Sequence, residues 1–373
     1  MRHAIQQNRV WYCQECGKCS AVCPITRGPT PTYTSPRLLV EKALGGRTEA
    51  VRNDPLFWSC LTCKLCSELC PSDVYFSDFI REARILARAE GQRGECAHGE
   101  VIQIWGRMMT APELRQQRRD WLDGSLKVTD DAETLYFSGC LPYYDTLFKS
   151  LGAEGVAIAR AAVKILNHLG IAPQVMVNER CCGHDQLWEG DLETFRALAQ
   201  LNLELLRATG AKRIVTTCPE CALTLAREYP RLVGHHGMQV WTLPQFLARE
   251  SAHGRLAVDA PRRKIRVTYQ DPCRLGRYLN AYDEPRALMR ALGLDLVEMD
   301  RTRTTSLCCG TSGWTACGRV NKSIQVERLQ EAVGTGAELL VTACVKCQIH
   351  FKCAQQDALQ GDKIAIQIQD LTT

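Results

Sequence analysis

The spacing of the cysteines constrains this chain more than any other feature. Of its 21 cysteines, eight form two tight runs, in each of which three cysteines are separated by two residues and a fourth follows three residues later, just before a proline. Iron prefers soft thiolate ligands, so this spacing predicts iron–sulfur sites. The runs are Cys13, Cys16, Cys19 and Cys23, and Cys60, Cys63, Cys66 and Cys70.

The fourth cysteine of each run lies too far round the loop to close the same cluster comfortably, and in two-cluster ferredoxins it ligates the other cluster. We therefore expect two cubane [4Fe-4S] clusters with crossed ligands. Zinc also accepts four thiolates, but structural zinc sites do not use this crossed run. One cubane takes Cys13, Cys16, Cys19 and Cys70, and the other takes Cys60, Cys63, Cys66 and Cys23.

Ten further cysteines form two sets of a rarer kind, each with a lone cysteine, a vicinal Cys-Cys-Gly and a Cys-x-x-Cys. Each set offers five thiolates, one more than a cubane needs, and a vicinal pair suits a more open cluster. We expect Gly183 and Gly310 to take positive φ and to let the backbone approach the sulfurs. The sets are Cys140, Cys181, Cys182, Cys218 and Cys221, and Cys273, Cys308, Cys309, Cys344 and Cys347.

The two five-cysteine sets belong to an internal duplication. The lone cysteine, the vicinal pair and the Cys-x-x-Cys are offset by 133, 127 and 126 residues. In both copies short apolar segments, including 134–138, 174–177, 264–269 and 294–299, alternate with helical periodicity, which predicts α/β domains in which each Cys-x-x-Cys follows a strand and opens a helix. The segment with the tight runs has few strand patterns, and Pro29, Pro31 and Pro36 predict a turn between them.

These patterns predict an α+β multidomain protein. We expect an α-helical ferredoxin domain, a helical linker and two duplicated α/β Cys-Cys-Gly domains. The predicted limits are 1–100, 101–132, 133–260 and 261–373.

Composition and charge argue against several classes of function. The net charge of +5 is small for 373 residues, so no nucleic-acid partner is expected. Disulfide frameworks belong to short secreted chains, and the N-terminus lacks the apolar core of a signal peptide. The sequence has no run of about 18 apolar residues, so direct membrane insertion is not expected. We expect a cytoplasmic protein, held at the inner face of a membrane only through a partner subunit.

The cysteine pattern resembles that of heterodisulfide reductase. The Cys-Cys-Gly domains look like those of its B-type subunit, the N-terminal segment resembles the C-type subunit, and the fused order resembles the D-type subunit. The resemblance implies two noncubane [4Fe-4S] clusters, each held by one five-cysteine set, that face each other and cleave a disulfide between them. It implies that the ten cysteines of those sets are the catalytic ligands, and that the chain is the catalytic part of a disulfide or thiol oxidoreductase.

Two functions therefore compete. In the first, electrons pass through the cubanes to the noncubane clusters, which reduce a small-molecule disulfide or oxidise thiols in reverse. In the second, the chain is a non-catalytic electron-transfer subunit of a glycolate, lactate or glycerol-3-phosphate dehydrogenase complex. Since no dinucleotide fingerprint or P-loop is present, electrons must be exchanged with a flavoprotein or a membrane cytochrome subunit.

Several residues near the sets have an ordinary structural interpretation as well as a functional one. His184 could donate a proton to a leaving thiolate, but most histidines are structural or exposed. Thr311 replaces it in the second repeat. Trp188 and Trp314 are expected in the core. The remaining members of this group are Cys96, Cys317 and Cys353, expected as small buried side chains, and Arg115, Arg118 and Arg119, expected on a solvated helix face.

Overall fold

The computed structural model describes residues 1–28, 33–256, 264–357 and 364–373. The turn expected at Pro29 and Pro31, and the expected limit between residues 260 and 261, lie outside the described residues.

The N-terminal part is helical around the two tight cysteine runs. Proline at the first helical position and a side-chain cap begin two of these helices, with Ser35 accepting from the Leu38 amide and Asp54 from the Leu56 amide. The helices are α1 (Arg2–Gln7), α2 (Lys18–Val22), α3 (Pro36–Leu44), α4 (Thr48–Arg52), α5 (Pro55–Ser59), α6 (Leu65–Glu68), α7 (Phe76–Ala89) and α8 (Val101–Met108).

The first α/β domain contains a three-stranded parallel sheet of order β1-β2-β3. Its strands are β1 (Thr134–Tyr136), β2 (Arg213–Thr216) and β3 (Gln239–Thr242). Its helices are α9 (Leu141–Leu147), α10 (Gly155–His168), α11 (His184–Glu189), α12 (Leu192–Ala208), α13 (Pro219–Leu223), α14 (Tyr229–Leu232) and α15 (Leu243–Ala252).

The second α/β domain repeats this topology with a parallel sheet of order β5-β4-β6-β7. The bridge that pairs Leu135 with Gln174 is the counterpart, in the first domain, of the β4–β5 pairing. The strands are β4 (Arg266–Gln270), β5 (Asp295–Leu296), β6 (Leu339–Thr342) and β7 (Gln367–Asp370). The helices are α16 (Asp283–Ala291), α17 (Arg319–Gly334) and α18 (Val345–Gln355).

Neighbouring parallel strands bring distant cysteines together. The loop after β1 carries Cys140 and the loop after β2 carries Cys218, while β4 and β6 lead to Cys273 and Cys344 in the same way. Because the carboxyl ends of adjacent parallel strands meet at one edge of a sheet, each cysteine set collects at that edge.

The structure differs from the sequence-based expectation in three places. The strand expected at 174–177 is a single bridge, and the strand expected at 294–299 has only two residues. The expected helical linker is helical over Val101–Met108 and irregular from there to β1. Apolar side chains of that irregular stretch, Trp121 among them, pack into the core of the first α/β domain, and this burial replaces helix formation as its source of order.

Candidate iron–sulfur sites

The two tight runs share an unusual backbone. In both, the residues before and after the second cysteine have positive φ: Glu15 at 51° and Gly17 at 78°, Thr62 at 46° and Lys64 at 68°. Such alternation curls the chain so that successive amide N–H groups point to one side and form an anion-binding concavity. The backbone of each run is therefore arranged to receive an anionic cluster.

The cysteines of the runs surround two small cavities. The first cavity is lined by Cys13, Cys16, Cys19 and Cys70, and also by Cys66. The fourth cysteine of each run thus lies beside the first three of the other, although iron ligation itself stays a prediction. The second cavity is lined by Cys23, Cys60, Cys63 and Cys66.

The first five-cysteine set lines one buried cavity. Cys140 and Cys181 have their sulfurs 3.5 Å apart, as do Cys182 and Cys221. Cys218 caps the N-terminus of α13, so the Cys-x-x-Cys opens a helix as predicted.

The second set has the same arrangement, with Cys344 at the N-cap of α18. Cys308, Cys309, Cys344 and Cys347 are buried in one core cluster with Cys273 packed against it, and neighbouring thiols shift one another's pKa. Five thiols therefore converge here as well.

The glycine after each vicinal pair is required by its conformation and by its neighbours. Gly183 has φ 82° and Gly310 has φ 83°, as expected from the sequence. A Cβ on Gly183 would lie 2.8 Å from the Phe195 ring, and one on Gly310 would lie 2.8 Å from the carbonyl oxygen of Asn321. Both turns exclude any other residue without local rearrangement.

The convergent thiols cannot all ionise on their own. Thiol–thiol hydrogen bonds lower the pKa of Cys181 and raise that of Cys182 in the first set. In the second set they raise the pKa of Cys308 and lower that of Cys309. Five clustered thiolates, four of them buried and one half-buried in each set, need a compensating cation, and soft iron ions satisfy both their charge and their ligand preference. The donor sets therefore fit iron–sulfur clusters.

A buried charged network adjoins the first set. His184 is 2% exposed, and its Nε2 accepts from Arg274 Nε at 3.0 Å. Its Nδ1 lies 3.2 Å from Asp185 Oδ1 and 3.5 Å from Glu220 Oε2, so the proton of the neutral ring is on Nδ1. Burial lowers the pKa of His184 and favours this neutral form.

Lys346 of the second domain completes the network. Its Nζ lies 2.5 Å from Asp185 Oδ1 and 2.6 Å from Glu220 Oε2, and it lines the cavity of the first set. Burial opposes the charge of Asp185, yet Lys346 lowers the pKa of that carboxyl below its ordinary value. Sequence reasoning missed Lys346. Aligning the repeats would have found it, since it stands between Cys344 and Cys347 where the first repeat has Glu220 between Cys218 and Cys221.

The second set touches the second tight run directly. Cys63 and Cys308 lie in the same core cluster, and interaction with the Cys308 thiol lowers the pKa of Cys63 to about 6 despite burial. Arg277 Nε donates to the Cys63 carbonyl at 2.6 Å, and Lys64 Nζ donates to the Arg277 carbonyl at 2.9 Å.

Arg274 joins this run to both sets. Its guanidinium donates to the Thr62 carbonyl at 2.6 Å, to Thr62 Oγ1 at 2.8 Å and to Ser312 Oγ at 3.3 Å, in addition to His184. It also stacks 4.0 Å from the Trp188 ring centroid, which lowers the cost of burying its charge. Arg274 was not singled out from the sequence, because nothing in the pattern of an isolated arginine predicts burial.

The second set has a histidine of its own. Thr311 stands where the first repeat has His184, but His350 on α18 is buried, and its ring centroid lies 4.8 Å from that of Trp314. Burial lowers the pKa of His350 to about 4, whereas the nearby Cys309 acts to raise it. The two sites therefore differ in where each imidazole stands.

The two tryptophans near the sets agree with the sequence-based expectation, whereas the three remaining cysteines do not. Trp188 and Trp314 are fully buried, as expected for core residues. Cys96 and Cys353 are only half-buried, and Cys317 is exposed, so none of the three is the buried side chain that was expected. Burial was expected because an unligated cysteine usually behaves as a small hydrophobic side chain, but these positions lie on loops and helix faces that reach solvent.

The arginines at 115–119 do not lie on a helix. Arg118 is 4% exposed; it forms an ion pair with Glu179 at 3.0 Å and hydrogen-bonds Ser138 Oγ at 3.2 Å. Glu179 in turn accepts from the Gly139 amide at 2.8 Å. The expectation of a solvated face is therefore wrong for Arg118, which holds the loop that leads to Cys140.

Family models match most of the cysteine-bearing parts of the chain. Residues 9–74 match a 4Fe-4S dicluster domain, and residues 134–226 and 267–352 each match the cysteine-rich domain called CCG. The fold and these matches define an iron–sulfur protein in which a dicluster domain precedes two CCG domains.

Similarity to known proteins identifies more closely which kind of iron–sulfur protein this is. The D-type subunit of the dihydromethanophenazine:CoB–CoM heterodisulfide reductase of Methanosarcina barkeri is 26% identical over 99% of this chain and 94% of its own length. The B-type subunit of the fumarate reductase (CoM/CoB) of Methanothermobacter marburgensis is 27% identical over 96% of this chain and 71% of its own. The chain belongs to the heterodisulfide reductase-like iron–sulfur oxidoreductases with two CCG domains.

A third relative, the EtfAB:quinone oxidoreductase of Syntrophomonas wolfei, is 26% identical over 90% of this chain and 54% of its own length. A solved structure of a putative Asp/Glu racemase from Yersinia pestis aligns with 64% of this chain and 93% of its own at 13% identity and a TM-score of 0.26, which carries no argument. Within the described ranges, none of the helices has both the length and the apolar character to cross a membrane.

Proposed function

We propose that this chain is the catalytic iron–sulfur subunit of a heterodisulfide reductase-like complex, and that it reduces a small-molecule disulfide or oxidises thiols in reverse. Two cubane and two noncubane [4Fe-4S] clusters, held by the cysteines assigned above, would supply one-electron transfer and capture of each nascent thiolate. The observation that carries the proposal is that both five-cysteine sets are complete and meet at Lys346, which pairs with both Asp185 and Glu220 of the first domain.

The contacts between the segments support an order of electron flow. The first tight run has the exposed Cys16, the second run is deeper, and its Cys63 touches Cys308 of the second set. The first set lies beyond, joined through Lys346. Electrons would therefore pass from the first run to the second, then to the second set and finally to the first.

The chain's own residues would shape the reaction between the sets. Lys346 and Arg274 bring buried positive charge to a site where thiolate charge develops, and preorganised charge stabilises such change without reorganisation. Neutral His184, with its Nδ1 proton held between Asp185 and Glu220, is too weak an acid to protonate a leaving thiolate, so it would orient this charged network instead. Burial of this network keeps bulk water from the reacting sulfurs.

The experiment pairs Cys182→Ser with Cys309→Ser in a disulfide-reductase assay with a viologen as artificial donor. We expect the double variant to lose activity with every disulfide that the unmodified protein reduces. Cys353→Ser is the matched control, because that cysteine lies outside both sets. Full activity in the double variant would rule out catalysis at these sites.

A non-catalytic electron conduit is the second candidate. It is favoured by the close packing between the sets, where Lys346, Asp185 and Glu220 fill the space with side chains that are at most 12% exposed. Similarity to a quinone oxidoreductase also fits a conduit. In this case the isolated protein would reduce no disulfide, yet its clusters would still be reduced by the flavin-linked partner of a glycolate, lactate or glycerol-3-phosphate dehydrogenase complex and oxidised by a quinone-linked one.

A further inference from the structure

Exposed aromatic side chains are concentrated in one part of this protein. Among the described residues, every aromatic side chain outside the N-terminal segment is buried or half-buried. Tryptophan and tyrosine on a surface are characteristic of interfaces, because they bury a large apolar area with little loss of conformational freedom. The exposed aromatic residues are Trp11 (58%), Tyr12 (63%), Tyr33 (98%) and Tyr75 (40%).

Three of these aromatic residues flank the first tight run. Tyr12 directly precedes Cys13, and the Tyr75 amide donates to the Asn8 carbonyl at 3.0 Å, which holds it near the start of that run. The exposed Leu69 precedes Cys70, the fourth cysteine of the same cavity. We call this surface the aromatic patch; it consists of Trp11, Tyr12, Leu69 and Tyr75.

The patch lies beside Cys16, the most exposed cysteine of the two tight runs. Cys16 is exposed, whereas Cys60 and Cys63 of the second run are buried beneath the second CCG domain. Electron exchange between proteins requires their redox groups to approach closely, so a carrier must reach this face.

The charges beside the patch are mainly positive. Arg9 stacks 5.2 Å from the Tyr12 ring centroid, Lys18 is exposed, and neither has an ion-pair partner among the residues that the structure describes. Two of the nearby carboxylates are already paired, Glu15 with Arg37 at 4.0 Å and Glu68 with Lys64 at 2.8 Å. Asp73 is an exposed acid there with no ion-pair partner within the described ranges, so on this face unpaired cations outnumber unpaired acids among the described residues.

We propose that the aromatic patch is the docking surface for a protein electron carrier with carboxylates around its redox group. This rests on the proposed function only in that the first run must hold a redox cluster. In each encounter the carrier loses one electron and the cluster gains it. Carboxylates on the carrier would pair with Arg9 and Lys18 and steer association, while Trp11 and Tyr12 would bury apolar area. A protein rather than an anionic membrane is the occupant that the adjacent redox site calls for, because electron exchange needs a second redox group within reach of the first tight run.

The test measures reduction of the anaerobic holoprotein by stopped flow, with a small acidic ferredoxin in its reduced state as the probe. Trp11→Ser/Tyr12→Ser and Arg9→Glu should each slow the second-order rate at least tenfold, and added salt should slow the unmodified protein. The controls are Met108→Ser, at a position that is 65% exposed, and Lys149→Glu, an exposed lysine away from the runs; both should stay within twofold. Reduction by dithionite should be equal in all five proteins, which shows that the clusters are intact.

The proposal is overturned if the patch variants react with the ferredoxin as fast as the controls do. It is also overturned if the rates are equal but the patch variants alone lose flotation with phosphatidylglycerol vesicles, since the surface would then bind lipid. The result is independent of disulfide chemistry: a Cys182→Ser/Cys309→Ser protein that keeps reductase activity contradicts the proposed function and leaves the docking surface standing.

Discussion

Glu220 and Lys346 hold equivalent positions in the two repeats, each inside a Cys-x-x-Cys, and they form an ion pair of 2.6 Å across the boundary between the domains. Opposite charges at one position of a duplicated sequence make the pairing of the two copies complementary. Two identical residues could not do this, because two carboxylates or two ammonium groups at that distance would repel each other. The duplication has therefore diverged at the residue where its copies meet.

Lys346→Met should destabilise the protein by about 3–5 kcal/mol, because it leaves the buried carboxylates of Asp185 and Glu220 without their cation. Anaerobic urea unfolding of the holoprotein measures this. Lys352→Met is the control on the same helix, where the ion pair with Glu154 is partly exposed, and it should cost about 1 kcal/mol or less. Equal losses of stability in the two variants would show that the ion pair between the domains stabilises the protein no more than the partly exposed one does.

Arg118→Met should cost about 3–5 kcal/mol, since Glu179 is fully buried and would lose its partner. Arg115→Met, three residues earlier and exposed, should change stability by less than about 0.5 kcal/mol. Thermal unfolding under anaerobic conditions compares them. If both arginines can be replaced without loss, the ion pair does not hold the loop before Cys140.

These two ion pairs also mark the limit of what the sequence predicts. Cysteine spacing and strand–helix order are local patterns, so the grouping of thiols, the positive φ of Gly310 and the helices after Cys218 and Cys344 followed from them. The burial of Lys346, Arg274 and Arg118 depends on contacts between distant segments, and a single charged residue carries no local sign of such contacts. For the same reason the stretch after α8 was misread as helical, although the core of the first α/β domain orders it.

Gly310→Ala should lower the iron content of the second set and destabilise the protein. Its Cβ would meet a backbone oxygen at 2.8 Å, in addition to the strain of positive φ. Gly170→Ala isolates the strain alone, because Gly170 has φ 75° and open space around its Cβ position. We expect a cost of about 1 kcal/mol for Gly170→Ala and a clearly larger one for Gly310→Ala, by urea unfolding. Equal losses of stability in the two variants would contradict the close contact at Gly310.

Glu189 predicts a pH dependence of stability. Burial raises its pKa to about 7, above the ordinary value near 4.5, and its buried Oε1 has no hydrogen-bond partner among the residues described. A carboxyl whose folded pKa is raised destabilises the fold as pH rises from about 4.5 through 7. Glu189→Gln should therefore be more stable than the unmodified protein at pH 8, by about 3 kcal/mol, and nearly equal at pH 5. Unfolding at both pH values checks this; a constant difference would show that Glu189 does not titrate in this window.

The central claim is that eighteen cysteines of this chain hold four iron–sulfur clusters in two kinds of site. Iron and zinc analysis of the anaerobically purified protein tests it most directly, with the Cys182→Ser/Cys309→Ser variant beside it. We predict roughly sixteen irons per chain and negligible zinc in the unmodified protein. The variant should hold fewer irons, by up to roughly eight per chain. Zinc in place of iron, or no more than roughly eight irons in the unmodified protein, would contradict the account.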